Sequence, residues 1–312
     1  MTFPENRSDI LALGEPMIEF NQTRPGAPDY LQGFGGDTSN AIIAAARQGA
    51  SCGYITRLGD DAFGAMFLAL WRAEGVDASA VGIDAHAPTA VYFVTHGATG
   101  HVFSYMRAGS AASRMQPDHL PEVLLRSARF LHISGISQAI SANCADTVRR
   151  AVAIAKDAGV KISYDPNLRL RLWPIADARR EIAATAAHAD YFLPSLEDAR
   201  TLSGSTTVDA ILDWAHGLGA RAVLLKLGGD GVVASDGLRR EHSAGHKVDV
   251  VDATGAGDCF DGSLLARLAA GDNLWEAARY ANAAAALATC GFGAVAPLPH
   301  AHAVRAFMEC GN

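Results

Sequence analysis

The chain has 312 residues, 49% of them hydrophobic, enough for a large core in one big domain or two small ones. Its formal net charge of -7 argues against a nucleic-acid partner, which needs a basic face, but leaves room for a few arginines around a small anion. Five scattered cysteines (Cys52, Cys144, Cys259, Cys290, Cys310) form no CxxC pair, which favours reduced buried thiols in a cytoplasm over a disulfide frame or zinc site.

The polar start "MTFPENRSD" lacks an apolar signal core. "DILALGEPMIEF" then reads as a strand that continues past a turn. "SNAIIAAARQGA" reads as a helix, with Thr38 or Ser39 as its cap and Gly49 as its stop. "SCGYITRLG" is a strand and "DAFGAMFLALWRAEG" a helix ending at Gly75. "TAVYFVTHGATGHVFSYMRAG" differs: two alternating runs flank "HGATGH", a hairpin signature outside the main sheet.

After it, strands and helices alternate. "ARFLHISGI", "VKISYDPN", "DYFLPS" and "RAVLLKLGG" read as strands. "NCADTVRRAVAIAKDAG", "ADARREIAATAAHA", "LEDARTLSG" and "AILDWAHGLGA" read as helices between them. "DGVVASDGLRREHSA" is a second hairpin, "HKVDVVD" a late strand, and "GDCFDGSLLARLAAG" and "NLWEAARYANAAAALATCG" are helices before a short final one. The alanine-rich end of the last, running into "GFGAVAPL", is too interrupted for a membrane span. This rhythm predicts a parallel sheet covered by helices on both faces, with ligands beyond the carboxyl ends of its strands.

Four motifs fall at such ends. In "GFGGDTSN", Gly35 and Gly36 precede a helix, so backbone N–H groups could approach a ligand, though spacing alone favours a plain glycine turn with an N-cap. No dinucleotide fingerprint follows a strand there, and no Walker loop occurs in the chain. In "FSYMRAGSAAS", Tyr105 and Arg107 alternate and so share a strand face, which Tyr92 can join. That face is either a solvated hairpin or a lid for a hydroxylated, anionic ligand. In "YDPNLRLRLWP", Pro166 ends a strand and puts Asn167, Arg169 and Arg171 at the sheet edge, as ligand contacts or as surface charges.

The fourth is "VDATGAGDCFDG". Its "ATGAG" leaves N–H groups unpaired at a positive helix end, an anion hole suited to a transferred phosphoryl group. Asp258 in the first helical turn is then either a helix-dipole partner or a general base. Asp252 is expected to shape the turn or a nearby cation site, and Asp261 to be an ordinary helix-face residue. "LLKLGGDG" adds Lys226, Gly228, Gly229 and Gly231 as either a nucleotide-lining turn or a plain β-turn. The histidines show no metal-ligand spacing.

Together these motifs resemble the ribokinase-like (PfkB) carbohydrate kinases over nearly the whole chain, from "ILALGE" to "ATCGFGA". "GGDTSN" with "AAARQGA" resembles that family's N-terminal signature and "DATGAGDCFDG" its C-terminal one. "GEPMIEFN", "YMRAGSAAS" and "DPNLRLRLW" look like 2-keto-3-deoxygluconate kinases in particular, while fructokinases share "DPNLR" and "LW". The resemblance implies an α/β ribokinase-like catalytic domain spanning 1–312, with a mostly parallel central sheet, helices on both faces, and a small β lid from about 16–33 and 89–107. It implies Gly35, Gly36, Asn40, Tyr92, Tyr105, Arg107 and Arg169 around the sugar acid. Asp258 would be the base, with Gly255, Ala256 and Gly257 as the anion hole. Asn167, Ser195, Lys226, Gly228, Gly229, Gly231, Gly255, Gly257 and Asn282 would line the nucleotide.

Four positions depart from the family pattern: Ala253 in the C-terminal signature, Ser195 and Asp198 in place of N-x-x-E, and Phe292 near an acidic position of some sugar-acid kinases. Arg107 and Arg169 would be two cations converging on one site, costly unless an anion arrives, which favours an acid over a neutral sugar. The expected reaction is ATP- and Mg²⁺-dependent phosphorylation of 2-keto-3-deoxy-D-gluconate at C6, with a monovalent cation as a further cofactor to test. The metal ligands stay unassigned. The alternatives are a fructokinase or another sugar kinase and a silent sugar-acid sensor. The expected partners are the small substrate, ATP and a second copy through the β lid, with no nucleic acid and no membrane.

Overall fold

The computed structural model describes residues 8–97 and 100–310. The hairpin tip at 98–99 and most of the polar N-terminal stretch therefore lie outside the described residues. The first third of the chain contains β1 (Ile10–Leu13), β2 (Met17–Gln22), β3 (Tyr30–Gly35), α1 (Asp37–Arg47), β4 (Cys52–Gly59), α2 (Ala62–Ala73), β5 (Val76–Asp77), β6 (Val81–Asp84), β7 (Ala90–Gly97) and β8 (Gly100–Met106). The middle contains α3 (Glu122–Ser127), β9 (Phe130–Ser134), α4 (Gly135–Ala139), α5 (Ala142–Asp157), β10 (Lys161–Asp165), α6 (Ile175–Ala186), β11 (Tyr191–Phe192), α7 (Leu196–Ser203) and α8 (Val208–Gly217). The end contains β12 (Ala222–Lys226), β13 (Val232–Ser235), β14 (Arg240–Ser243), α9 (Ala256–Ala270), α10 (Leu274–Ala288) and α11 (Ala301–Cys310).

The large sheet runs β14-β13-β12-β11-β10-β9-β1-β4-β5, with β6 also paired to β4. All its pairings from β12 to β5 and β6 are parallel, and only the β12–β13–β14 end is antiparallel. Its central strands are buried on both faces, so they read as continuous apolar runs. Within β1, Leu11 and Leu13 face a core built with α5 to α8. Ile10 and Ala12 face the opposite core, built with α1, α2, α9, α10 and α11. One strand thus feeds both layers, and the sheet is covered on both sides.

The second sheet has the order β3-β2-β7-β8. It leaves the large sheet directly after β1, through Gly14–Pro16, and so sits beyond that sheet's carboxyl edge. The expected first segment, 16–33, runs two residues further, to Gly35. In the second, Tyr92 pairs directly with Tyr105, and their rings stack at 5.8 Å.

Two local expectations fail. "HKVDVVD" forms no strand: residues 244–250 are irregular, and Val250 and Val251 are exposed. The segment's backbone instead meets the end of α10, where Val251 and Asp252 N–H groups bond the Thr289 carbonyl at 2.8 and 3.1 Å. Thr38 and Ser39 are not caps either. Gly36 holds the N-cap position at φ 105°, and both hydroxyls turn inward, Thr38 to Tyr54 and Ser39 to Trp71.

Candidate active site

Parallel strands end together, so the residues just past them form one ledge. That ledge carries Glu15 after β1, Ser134 closing β9, Asp165 closing β10 and Lys226 closing β12. Two helix N-termini, those of α1 and α9, meet the same ledge with their positive ends.

Gly255 caps α9 in the left-handed region at φ 78° and brings no side-chain cap, so the Gly255 and Gly257 amides stay open, whereas Ala256, expected in the anion hole, gives its N–H to the Ala253 carbonyl at 3.2 Å. A Cβ there would lie 2.9 Å from the Ala294 carbonyl, so the turn is closed against that loop by glycine. Asp252 shapes the turn as expected: Oδ1 accepts from Thr254 N–H at 2.9 Å and Oδ2 from Gly293 N–H at 3.0 Å.

Asp258 sits in the first turn of α9, where Asn40 of α1 donates to its Oδ2 at 2.8 Å. Burial, then the neighbouring Asp37, push its carboxyl up to about 7, against the Asn40 hydrogen bond and Lys226, which pull it down. The Asn40 Oδ1 is buried without a hydrogen-bond partner, an acceptor left for an incoming hydroxyl. A carboxylate balanced near neutrality beside open amides is the equipment for taking a proton while negative charge builds next to it.

The ring around this centre is more acidic than the motifs suggested. Asp37 receives Asn167 Nδ2 at 3.0 Å, and Asn167 holds a positive φ of 35° that turns the chain back over the ledge. Asp165 accepts from Asn167 N–H at 2.9 Å and from Lys226 Nζ at 2.9 Å. Glu15 and Glu19 are both buried and raised, chiefly by desolvation. Four of these, Glu15, Glu19, Asp37 and Asp165, were not singled out from sequence. Glu15 and Asp165 follow apolar strand runs, the signal that found Asn167.

Several expected residues sit differently from their assigned tasks. Arg107 is no free cation: its Nε donates to Glu15 at 2.8 Å, and Ser110 holds the other Glu15 oxygen at 2.5 Å. The argument from two unpaired arginines therefore fails for Arg107, because Glu15 already balances it. Arg169 is exposed and uses one Nη1 bond on the Leu168 carbonyl, with Asp37 and Asp198 in electrostatic range. Asp261 is not a plain helix-face residue but fully buried, 3.0 Å from Lys226. Asn282 gives its amide to the Ala244 carbonyl at 2.8 Å. Ser195 caps α7, accepting from Asp198 N–H at 3.1 Å, while Asp198 Oδ2 accepts from Leu168 N–H at 3.1 Å.

The remaining glycines are placed by contact. A Cβ on Gly35 would come within 2.5 Å of the Tyr92 hydroxyl, which itself bonds Glu19. A Cβ on Gly36 would overlap the Glu15 carbonyl. Gly231, at φ 95°, could not carry one without overlapping Ser243, whereas Gly228 and Gly229 face open space. Tyr105 is 41% exposed over the ledge, with the Arg107 guanidinium 5.7 Å from its ring. Arg171 ties the 165–174 loop to the small sheet through the Phe103 carbonyl at 3.3 Å. A groove of about 580 Å³ between Asp77–Ala80 and Pro121–Leu124 shares no residue with this centre.

Comparison with known proteins places the chain in a family. A family model described as pfkB family carbohydrate kinase matches residues 7–301. Fructokinase-1 of Zea mays is 36% identical over 312 residues, covering 94% of this chain and 95% of its own. A protein of E. coli solved with ATP and Mg²⁺ superposes with a TM-score of 0.90 at 28% identity, over 97% of this chain and 99% of its own. A fructokinase of Vibrio cholerae O395, solved with fructose, ADP and calcium, gives 0.88 at 27% identity, over 98% and 100%.

Proposed function

The chain belongs to the pfkB family of carbohydrate kinases, with its ribokinase-like α/β fold, and from that membership we propose that it phosphorylates the primary hydroxyl of a six-carbon 2-keto sugar with ATP. The observation that carries this is Asp258, anchored by Asn40 beside the open amides of Gly255 and Gly257, between which the Ala256 N–H bonds the Ala253 carbonyl at 3.2 Å. In the step, Asp258 takes the hydroxyl proton, the substrate oxygen bonds the γ-phosphorus, the bond to the β-bridging oxygen breaks, and ADP leaves. The amides receive the charge on the transferred group. Gly228, Gly229 and Gly231 would line the nucleotide. The small sheet acts as a lid, with Tyr92, Tyr105 and Arg107 on the sugar side, and its closure excludes water.

Mg²⁺ takes oxygen donors and keeps several waters, which suits the carboxylates of Asp165 and Asp198. Asp198 is raised by burial and by Asp165, so a cation there would relieve a like-charge pair. When bound, Mg²⁺ offsets the charge of the phosphates. We place the protein in the cytoplasm as a homo-oligomer through the small sheet, whose Leu31, Val102 and Met106 are exposed.

Fructose is the substrate that the curated relatives favour. The Glu15–Arg107 pair supports it, since Arg107 already has a carboxylate partner and is not left waiting for the carboxylate of a sugar acid. A second reading is 2-keto-3-deoxy-D-gluconate, phosphorylated at C6 to 2-keto-3-deoxy-6-phosphogluconate. The exposed Arg169 guanidinium beside the ledge favours it. ATP-dependent turnover on both compounds decides. Faster fructose turnover, with Arg169→Ala affecting neither KM by more than about threefold, supports the first reading. If Arg169→Ala raises KM tenfold or more for the keto acid alone, the second replaces it, since one lost charge-assisted hydrogen bond is worth about 1.5–3 kcal/mol.

A further inference from the structure

The anion turn of α9 has a wall that no helix or strand supplies. Between the end of α10 and the start of α11, residues 291–299 run without regular structure. Ala294 closes on Gly255, its carbonyl 2.9 Å and its Cα 3.1 Å from where a Cβ on that glycine would stand. Gly293 gives its N–H to Asp252 at 3.0 Å, and a Cβ on it would stand 3.8 Å from Glu19 Oε1 in β2. The segment therefore meets both the anion turn and the small sheet. Among the described residues, one backbone bond is internal to it, from Leu298 N–H to the Val295 carbonyl at 3.2 Å. A backbone with so few bonds of its own keeps its place through side chains from elsewhere.

Arg47, in the last turn of α1 with a side chain 11% exposed, supplies them. Its Nη1 donates to the Val295 carbonyl at 3.0 Å and to the Leu298 carbonyl at 2.6 Å. Nε and Nη2 fork onto the two oxygens of Glu74, just past α2, at 2.9 and 2.7 Å, which fixes the plane of the guanidinium. The next residue, Gln48, donates to the Pro299 carbonyl at 2.7 Å and accepts from the Tyr280 hydroxyl of α10 at 2.7 Å. An arginine at a helix C-terminus ordinarily serves the dipole of its own helix. This one reaches past it to the carbonyls of another segment, and its charge is also felt by Cys259, the residue after Asp258. α1 thus holds Asp258 with Asn40 near its start and the wall of the anion turn with Arg47 at its end.

We propose that Arg47 is a positioning residue for phosphoryl transfer: by holding 293–298 against Gly255, it keeps the Gly255 and Gly257 amides aimed at the transferred group. This rests on the kinase reading above. The hydrogen bonds of Arg47 go to Glu74 and to the segment, so its effect passes through Val295 and Ala294 to the turn. It therefore acts on kcat and leaves the binding of sugar and nucleotide in place. A displacement of about 1 Å among groups that must align costs on the order of 10²-fold in rate. Lysine cannot replace it, because one ammonium cannot fork onto Glu74 and reach two carbonyls together.

The test measures kcat and both KM values in Arg47→Met and Arg47→Lys, on whichever sugar the wild type turns over, with circular dichroism to confirm folding. Arg179→Met is the control, since Arg179 clasps the Thr201 and Leu202 carbonyls at 2.8 and 2.9 Å at the end of α7. Both Arg47 variants should lose at least about tenfold in kcat with each KM within about threefold of wild type. Amide hydrogen exchange across 253–259 should quicken in both. Arg179→Met should keep the wild-type kcat and the wild-type exchange in that stretch. A smaller loss in kcat, a loss carried by either KM, or unchanged exchange overturns the proposal. So does an Arg47→Lys with wild-type kcat, which would leave charge alone as the requirement. An Arg179→Met that loses as much kcat as Arg47→Met overturns it too, by making the loss one of general stability. If Arg47→Met does not fold, Arg47→Lys carries the test by the same thresholds. A wild type without ATP-dependent turnover sinks the kinase reading instead, and the exchange comparison still shows whether Arg47 holds the turn.

Discussion

Asp258 carries a role and a titration, and only the first is written locally. Its place in "GAGD" marks a carboxylate in the first turn of a helix that opens on bare amides. Its elevation to about 7 depends on burial and on Asp37, which reaches it from the start of another helix. Sequence spacing does not encode that approach. The consequence is a pH–rate profile whose acid limb lies near pH 7, with activity rising as Asp258 loses its proton. Asp37→Asn removes the second-largest raising influence, so the limb should move acidic while the Asn167 contact keeps an acceptor. Asp258→Asn should lose a factor of about 10² or more in kcat, the scale of a lost general base. A profile unmoved by Asp37→Asn would show that burial alone sets the carboxyl.

At the scale of elements, α1 and α9 form the frame that aligns Asn40 with Asp258. The two helices touch at Gly262, where a Cβ would overlap the Ala41 carbonyl and come within 2.9 Å of Ala44. α9 is buried continuously from Cys259 to Ala266, so no solvent-facing side can absorb a shift. Gly262→Val should cost about 3 kcal/mol of stability, the upper range for overpacking, measurable by urea denaturation. It should also lower kcat, because the Asn40–Asp258 bond spans the separated helices. Unchanged stability would mean that the frame is loose. The alternating strands and helices were legible because buried parallel strands are uniformly apolar and their helices are amphipathic. "HKVDVVD" misled because its valines alternate like a strand's. Its backbone partner is the Thr289 carbonyl at the end of α10, and tertiary partners of that kind leave no periodic trace. Arg107 misled for the same reason: its balancing charge, Glu15, lies on another element.

Across the whole molecule the site is a store of unfavourable charge. Glu15, Glu19, Asp37, Asp198, Asp258 and Asp261 all have carboxyls raised in the folded state, with burial the largest cause in each. The sign of the linkage follows from proton counts. A carboxyl raised on folding makes the native state hold the proton longer than the unfolded chain does. The stability it contributes is complete below its unfolded value and is lost as pH rises through its folded value. For Asp258 that window runs from 3.8 to about 7. Above it, the wild type holds a buried carboxylate that the unfolded chain would rather expose. Asn at this position cannot ionise and can still accept from Asn40, so it keeps what the wild type gives up. Asp258→Asn should therefore be more stable than the wild type at pH 8, by on the order of 2–4 kcal/mol from a shift of about three pKa units. At pH 4 the two should differ by less than about 1 kcal/mol, since little of the shift has then been exercised. Denaturant titrations at both pH values check this. A variant less stable at pH 8, or equally stabilised at pH 4, would mean that Asp258 is held by hydrogen bonds strong enough to offset its burial. Stability given up at a carboxylate is the expected mark of an active site, and this result would separate Asp258, the proposed base, from an ordinary helix cap.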